Sequence, residues 1–308
     1  MKYSGIGGQA VIEGIMMKNG DRYSTAVRKP DKTIAVMEDK CESLTTKIPV
    51  LGLPFLRGIF AFVDSLVLGM KTLAYSASFF EDDEDSKPSK LEEKLTAIFG
   101  DKLDKVIMGV TMFISILASV AIFMVLPMLL SNIIKAKIDN YYVIAIFEGV
   151  IRIAIFIFYI KMISGMEDIK RTFMYHGAEH KCINCIEHGL ELNVENVMKS
   201  SKEHKRCGTS FIIIVMMISI LFFMVIRVDN LWLRAVSRVV LVPAIAGVSY
   251  EFLRIAGRSD FWLVNILSKP GLWMQGLTTK EPTPDMVEVA IAAVEKVFDW
   301  RKYLKENF

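Results

Sequence analysis

His176, Glu179 and His180 follow one another at the spacing H-x-x-E-H, the inverted form of a zinc-protease pattern. On an α-helix, residues i and i+4 lie about 40° apart, so two imidazoles can grip one cation while the glutamate between them acts as general base. All four histidines of the chain (His176, His180, His188, His204) and three of its four cysteines (Cys182, Cys185, Cys207) fall between residues 176 and 207. Imidazole and thiolate bind borderline metals, so their concentration in one polar segment implies a divalent cation, zinc above all. The plainer alternative is a solvated loop rich in both residue types. Gly177 weighs against a helix here, because glycine costs about 1 kcal/mol in a helix interior.

Two imidazoles need a third ligand. Glu251, near the end of the last apolar stretch, is one candidate, and His204 and Cys207, three apart, are its rivals. Against Glu251 stands a simple ion pair with Arg254 or Arg258 at headgroup level. The same residues also divide differently: Cys182-x-x-Cys185 with His204-x-x-Cys207 has the spacing of a closed, four-ligand zinc knuckle. A closed site stabilises a fold, whereas an open one does chemistry.

The elements that must position these residues are those of a membrane protein. The 308-residue chain is 53% hydrophobic, above the roughly 45–50% of soluble domains. Its net charge of +3 gives no reason to expect nucleic acid as a partner. Four apolar stretches, at about 106–134, 141–164, 209–227 and 231–256, approach the roughly 20 residues that a bilayer requires. Lysine and arginine crowd the segments before the first, between the second and third, and after the fourth. The positive-inside rule then predicts a multi-pass protein of the inner (cytoplasmic) membrane, with both termini and the His/Cys segment in the cytoplasm. Lys135, Lys137, Arg227 and Arg234 run against that orientation. In such a compartment the cysteines are thiols or thiolates rather than disulfides.

The fold class expected is an α-helical polytopic membrane protein with a small N-terminal β element. Residues 1–47 hold that element, with Lys29-Pro30-Asp31-Lys32 as a turn. Gly7 to Gly14 is either a backbone loop that approaches a ligand or a set of tight turns. Residues 48–80 are apolar but carry Arg57, Asp64 and Lys71, which reads as an interfacial or re-entrant helix rather than a span. An acidic linker with a pre-span helix (81–105), a first transmembrane hairpin (106–164), the cytosolic His/Cys segment (165–208) and a second hairpin (209–257) follow. The tail, 258–308, ends in an amphipathic helix over about 284–304. Within the spans, Glu148 and Arg152 lie four apart and can pair, with Arg238 in possible reach. Such a group is a structural lock between helices or part of a transport path.

Tyr175 to Lys181, His204 to Phe211, Ser249-Tyr250-Glu251, Gly8 to Gly14 and Gln275 to Pro282 together resemble the YqhQ-like family of bacterial integral membrane proteins. The resemblance spans almost the whole chain. It implies a metal-dependent enzyme with no established reaction, and site positions at His176, Glu179, His180, His204, Cys207 and Glu251. Cys182 and Cys185 fall outside the family's core motifs, which tells against the knuckle. The reading that results is a zinc hydrolase of peptide or amide bonds at the cytosolic membrane face. His176 and His180 hold the metal, Glu251 or His204 completes the shell, and Glu179 activates water. The alternatives are a non-enzymatic membrane scaffold or helper in protein or lipid handling, and a transporter built on Glu148 and Arg152. The lipid bilayer is the expected partner, with a second copy or another membrane protein as a further one.

Overall fold

Turn chemistry sets out the N-terminal sheet. In the computed structural model, which describes residues 2–80, 103–135, 137–138, 140–257 and 261–308, strands β1 (Ile6–Val11), β2 (Gly14–Asn19), β3 (Arg22–Arg28) and β4 (Ile34–Lys40) form an antiparallel meander. Its register pairs Ala10 with Ile15, Met16 with Thr25 and Val27 with Ala35. Gly20 takes φ +62° between β2 and β3, a conformation that glycine adopts without strain. In the next turn the Asp31 carboxylate accepts from the Thr33 amide at 2.9 Å. The acidic run Glu81–Asp85, Arg258 and the lysines at 90, 94 and 102 lie outside the described residues.

The helices are α1 (Leu56–Ala77), α2 (Leu103–Val120), α3 (Leu126–Lys135), α4 (Tyr141–Ile163), α5 (Glu167–Glu187), α6 (Val194–Lys199), α7 (Gly208–Val225), α8 (Leu231–Val240), α9 (Val242–Ala256), α10 (Trp262–Thr278), α11 (Pro284–Val297) and α12 (Trp300–Asn307). A π-helical turn, Ala121–Val125, joins α2 to α3. Among the described residues four helices, at 56–77, 109–135, 141–163 and 208–225, are long and apolar enough to cross a membrane. The stretch expected as one span at 231–256 is instead the pair α8 and α9, bent by 41°. Pro243, in the first turn of α9, explains the break: it lacks an N–H to donate to the preceding turn, and its ring crowds the carbonyl four residues back. In α1, the charges that argue against a span all have partners. Arg57 pairs with Glu251, Asp64 accepts from Ser43 at 2.6 Å, and Lys71 reaches Asp39 at 2.7 Å.

The described chain divides into two compact units. The first comprises residues 2–80, 157–219 and 243–308. Its core joins Ile15, Met17 and Ala26 of the sheet to Tyr175, Ile183 and Ile186 of α5 and to Met286, Val289, Ala290, Ala293 and Val294 of α11. The α11 positions recur at three- and four-residue intervals, so one apolar face of the helix covers the sheet. On the sheet's other contacts, Leu68 of α1 packs with Met16 and Tyr23.

The second unit comprises the described part of 81–156 together with 220–242. At its centre the Glu148 carboxylate accepts from Arg152 Nη2 at 2.9 Å and from Arg238 Nε at 3.1 Å. All three side chains are buried. The Arg238 guanidinium stacks 3.6 Å from the Phe223 ring centroid, a contact that offsets part of its lost hydration.

Candidate metal centre

The centre starts from α5, which runs unbroken through Gly177 and places His176 and His180 one turn apart, with ring centroids 4.4 Å from each other. Gly177 has a packing role. The segment after α10 crosses α5 there, and a Cβ on Gly177 would stand 2.0 Å from the Lys280 carbonyl oxygen. That close crossing also brings the Thr278 carbonyl to His176. Gly177→Ala should therefore lower stability by about 1–3 kcal/mol, despite alanine's better helix propensity. A thermal melt of the two proteins checks this; an unchanged or higher midpoint would show that the crossing segment yields freely.

The tautomers are set by the backbone. His176 Nδ1 lies 2.9 Å from the Thr278 carbonyl and His180 Nδ1 lies 2.7 Å from that of Lys202. A carbonyl can only accept, so each Nδ1 carries a proton, and in the neutral ring the lone pair is on Nε2. Nε2 of His176 faces Cys207, whose Sγ is 3.2 Å away. Donor atoms of His176, His180 and Cys207 all lie within 4.8 Å of one another, and this is the only such trio of histidine, cysteine or acidic groups among the described residues. Histidines that ligate metals almost always give their other N–H to a carbonyl or carboxylate, as both do here. For a tetrahedral zinc, sulfur and nitrogen ligands would stand about 3.5 Å apart, close to the distance observed.

Charge in this cluster is strongly coupled. Burial pushes the Cys207 thiol up, but the His176 and His180 imidazoles outweigh it and hold the group well below the usual thiol range. Burial pulls His176 down, and the neighbouring sulfur outweighs that in turn, raising the imidazole to about 9. Burial raises Glu179, which is 5% exposed. One of its oxygens, Oε2, has no hydrogen-bond partner, while the Gly8 amide supports the carboxyl from β1. A Cβ on Gly8 would stand 3.0 Å from the Glu179 carboxyl carbon, so glycine here is what lets the strand backbone approach. Glu13 of the same N-terminal motif is bound by Arg171 through two hydrogen bonds. A cavity of about 480 Å³ adjoins the cluster, lined in part by Gly8, Glu179, His180, His204, Cys207 and Thr209.

The other candidate residues lie apart from the trio. Glu251 is not in it: its carboxylate is taken by Arg57 on both oxygens, so Arg254 is not its main partner, and Arg258 lies outside the described residues. A carboxylate committed to a guanidinium has little left to offer a cation. His204 is near, with its ring 5.7 Å from that of His180, but its Nε2 points to Glu187 at 3.5 Å. Its backbone is clamped at both ends by Gln275, which donates to the His204 carbonyl at 2.7 Å and accepts from its amide at 2.9 Å. The knuckle does not assemble. Cys185 donates to the Glu191 carbonyl at 3.4 Å, and burial raises both Cys182 and Cys185, the latter to about 11. The carbonyls of Thr278 and Lys202 and the amide of Gly8 were not anticipated, since a backbone group has no signature in residue type. Gln275 and Thr278 do fall in a motif that carried the family resemblance.

Behind His204, burial would push the Glu187 carboxyl up, but His204 and Arg206 outweigh it and hold the group down at about 2. A carboxyl depressed below the ordinary glutamate range contributes stability that is complete above that range and is lost as pH falls towards 2. The contribution is at most about 3 kcal/mol. The melting midpoint should drop between pH 5 and 3, and Glu187→Gln should remove that component of the drop. An equal drop in both proteins would assign it to other carboxylates.

Comparison with known proteins places the chain. The family described as "Protein of unknown function (DUF1385)" matches residues 53–300. A Bacillus subtilis (strain 168) protein with the name "Uncharacterized protein YqhQ" is 35% identical over 304 residues, which cover 98% of this chain and 94% of the relative. No solved structure matches.

Proposed function

The chain belongs to the DUF1385 family, of which YqhQ is a relative, and on that premise we propose that it is an integral inner-membrane hydrolase with a metal centre at the cytosolic face. His176, His180 and Cys207 would hold a divalent cation, zinc first. The observation that carries the reading is the placement of both Nδ1 atoms against backbone carbonyls beside the buried Cys207 sulfur, with three donors converging. Such a donor set of two nitrogens and one sulfur suits zinc. A cation bound there supplies Lewis acidity, lowering the pKa of water and polarising a carbonyl.

The chain's own residues do the rest. Glu179 takes the proton of the attacking water on its unpartnered Oε2. A carboxyl raised by burial is suited to accept and return a proton near neutral pH. Water oxygen bonds the carbonyl carbon, the C–N bond of an amide or peptide breaks, and Glu179 passes the proton to the leaving nitrogen. Purified protein should carry one zinc per chain by elemental mass spectrometry, and His180→Ala should lose it. A folded, metal-free wild type would end this reading.

One observation favours a second reading. A depressed Cys207 with a raised His176 at 3.2 Å is also a thiolate–imidazolium pair, the arrangement of a cysteine nucleophile. Rapid alkylation of Cys207 by iodoacetamide, unaffected by zinc or chelator, would support the nucleophile over the metal.

A further inference from the structure

We infer that the substrate is an anionic phospholipid seated across three adjoining chambers of the first unit, with the acyl linkage at the metal centre. The inference rests on the hydrolase reading only for what happens to the lipid after it binds. Gln9, Ser65, Arg206 and Gly208 line both the cavity at the centre and a second one of about 570 Å³. The second chamber is apolar, walled by Phe62, Leu66, Met70, Leu73, Phe211 and Ile212. Ala61, Arg206, Tyr250 and Leu253 are shared in turn with a third chamber of about 510 Å³, lined by Arg57, Arg206 and Arg254 and, among the described residues, by no carboxylate, although Arg57 pairs with Glu251 and Arg206 with Glu187 behind it.

Arg206 lines all three chambers. Its Nη2 donates to Glu187, while its Nη1 is buried and has no hydrogen-bond partner. A buried guanidinium N–H without an acceptor is costly, and a phosphate or carboxylate oxygen is what would fill that position. The three chambers thus offer positive charge, a reacting centre and an apolar slot that diverge from one arginine. A phospholipid offers the complement: phosphate, acyl carbonyl and hydrocarbon chain diverging from one glycerol. A peptide fits less well, because its backbone N–H and C=O groups would be left without partners in the apolar chamber, whereas an acyl chain has none to satisfy.

The bond at the centre is then an acyl ester, in place of the amide or peptide bond proposed above for the same metal and Glu179 chemistry. Water oxygen bonds the ester carbonyl carbon, the carbon–oxygen bond to glycerol breaks, and the water proton passes through Glu179 to the released alcohol. The products are a lysophospholipid and a fatty acid.

The test uses the full chain in nanodiscs of equal phosphatidylglycerol and phosphatidylcholine, released and weighed by native mass spectrometry. One phosphatidylglycerol per chain should be retained, at least tenfold over phosphatidylcholine. Leu66→Trp, at a half-exposed position in the apolar chamber, should lower that retention at least tenfold. Arg254→Gln, at an exposed position in the basic chamber, should reduce the preference for the anionic lipid several-fold. Equal retention of the two lipids, indifference to Leu66→Trp, or full displacement by inorganic phosphate would each overturn the inference, the last marking a free-anion pocket. Chelation should leave retention unchanged. Loss of lipid selectivity with one zinc still bound sinks this inference alone, while selective retention by a chain that never binds zinc supports it and sinks the hydrolase.

Discussion

Glu179→Gln is expected to keep one zinc per chain and to lower the hydrolytic rate by about a hundred- to ten-thousand-fold, the range for losing a positioned acid or base. The amide preserves the shape of the side chain and can still accept from the Gly8 amide, so folding and ligand geometry should persist. What it loses is the ability to take a proton on Oε2, the oxygen without a partner. The His176 and His180 donors are tied to the carbonyls of Thr278 and Lys202 and do not depend on Glu179. Elemental analysis and a single-turnover assay on the same sample separate the two effects. Full activity in the glutamine variant, with zinc bound, would show that Glu179 is not the base.

Glu148→Ala should be the most destabilising single change in the second unit, by about 3–5 kcal/mol, the cost of breaking a buried ion pair from one side. The one carboxylate serves two guanidiniums, Arg152 on its own helix and Arg238 on α8. Removing it leaves two buried cations without their shared carboxylate, beside the Phe223 ring and the Phe123 carbonyl. Denaturation in detergent, compared with the Glu148→Ala/Arg152→Leu/Arg238→Leu triple variant, provides the check. The triple variant should recover most of the loss, because apolar residues of similar volume often replace a buried ionic group at little cost. Failure to recover would mean that the charges have a task beyond joining helices.

The sequence carried the local parts of this structure well and the distant parts poorly. The i, i+4 spacing of His176 and His180 is a property of one helix and could be read directly. Arg238 meeting Glu148 was within reach of pattern reasoning, since few charges lie in the apolar stretches. The third member of the cluster was different: Glu251, His204 and Cys207 were all available, and spacing cannot rank residues that arrive from separate segments. Glu251 was misplaced because its partner, Arg57, lies in a segment read on its own as interfacial. The bend at 241 follows from Pro243, a signal that a long apolar run tends to hide. Helix α10, with Pro270 inside it, was folded into the tail without being recognised, although its end supplies the carbonyl that orients His176.

The same contrast applies to the N-terminal motif. From residue types alone Gly7 to Gly14 reads either as a ligand-approaching loop or as tight turns around a strand; in the structure it is the strands β1 and β2 joined by a tight turn at Ile12 and Glu13. Gly8 approaches Glu179, whereas Glu13 binds Arg171 and ties the sheet to α5. Only contacts made across the fold separate the parts played by Gly8 and Glu13.

X-ray absorption at the zinc edge of the purified, membrane-extracted protein measures the donor set itself. The account predicts one sulfur at about 2.3 Å, two imidazole nitrogens at about 2.0–2.1 Å and one light atom in the remaining position, with the sulfur signal lost in Cys207→Ala. A shell of two or more sulfurs, or a folded protein that takes up no zinc at all, would contradict it.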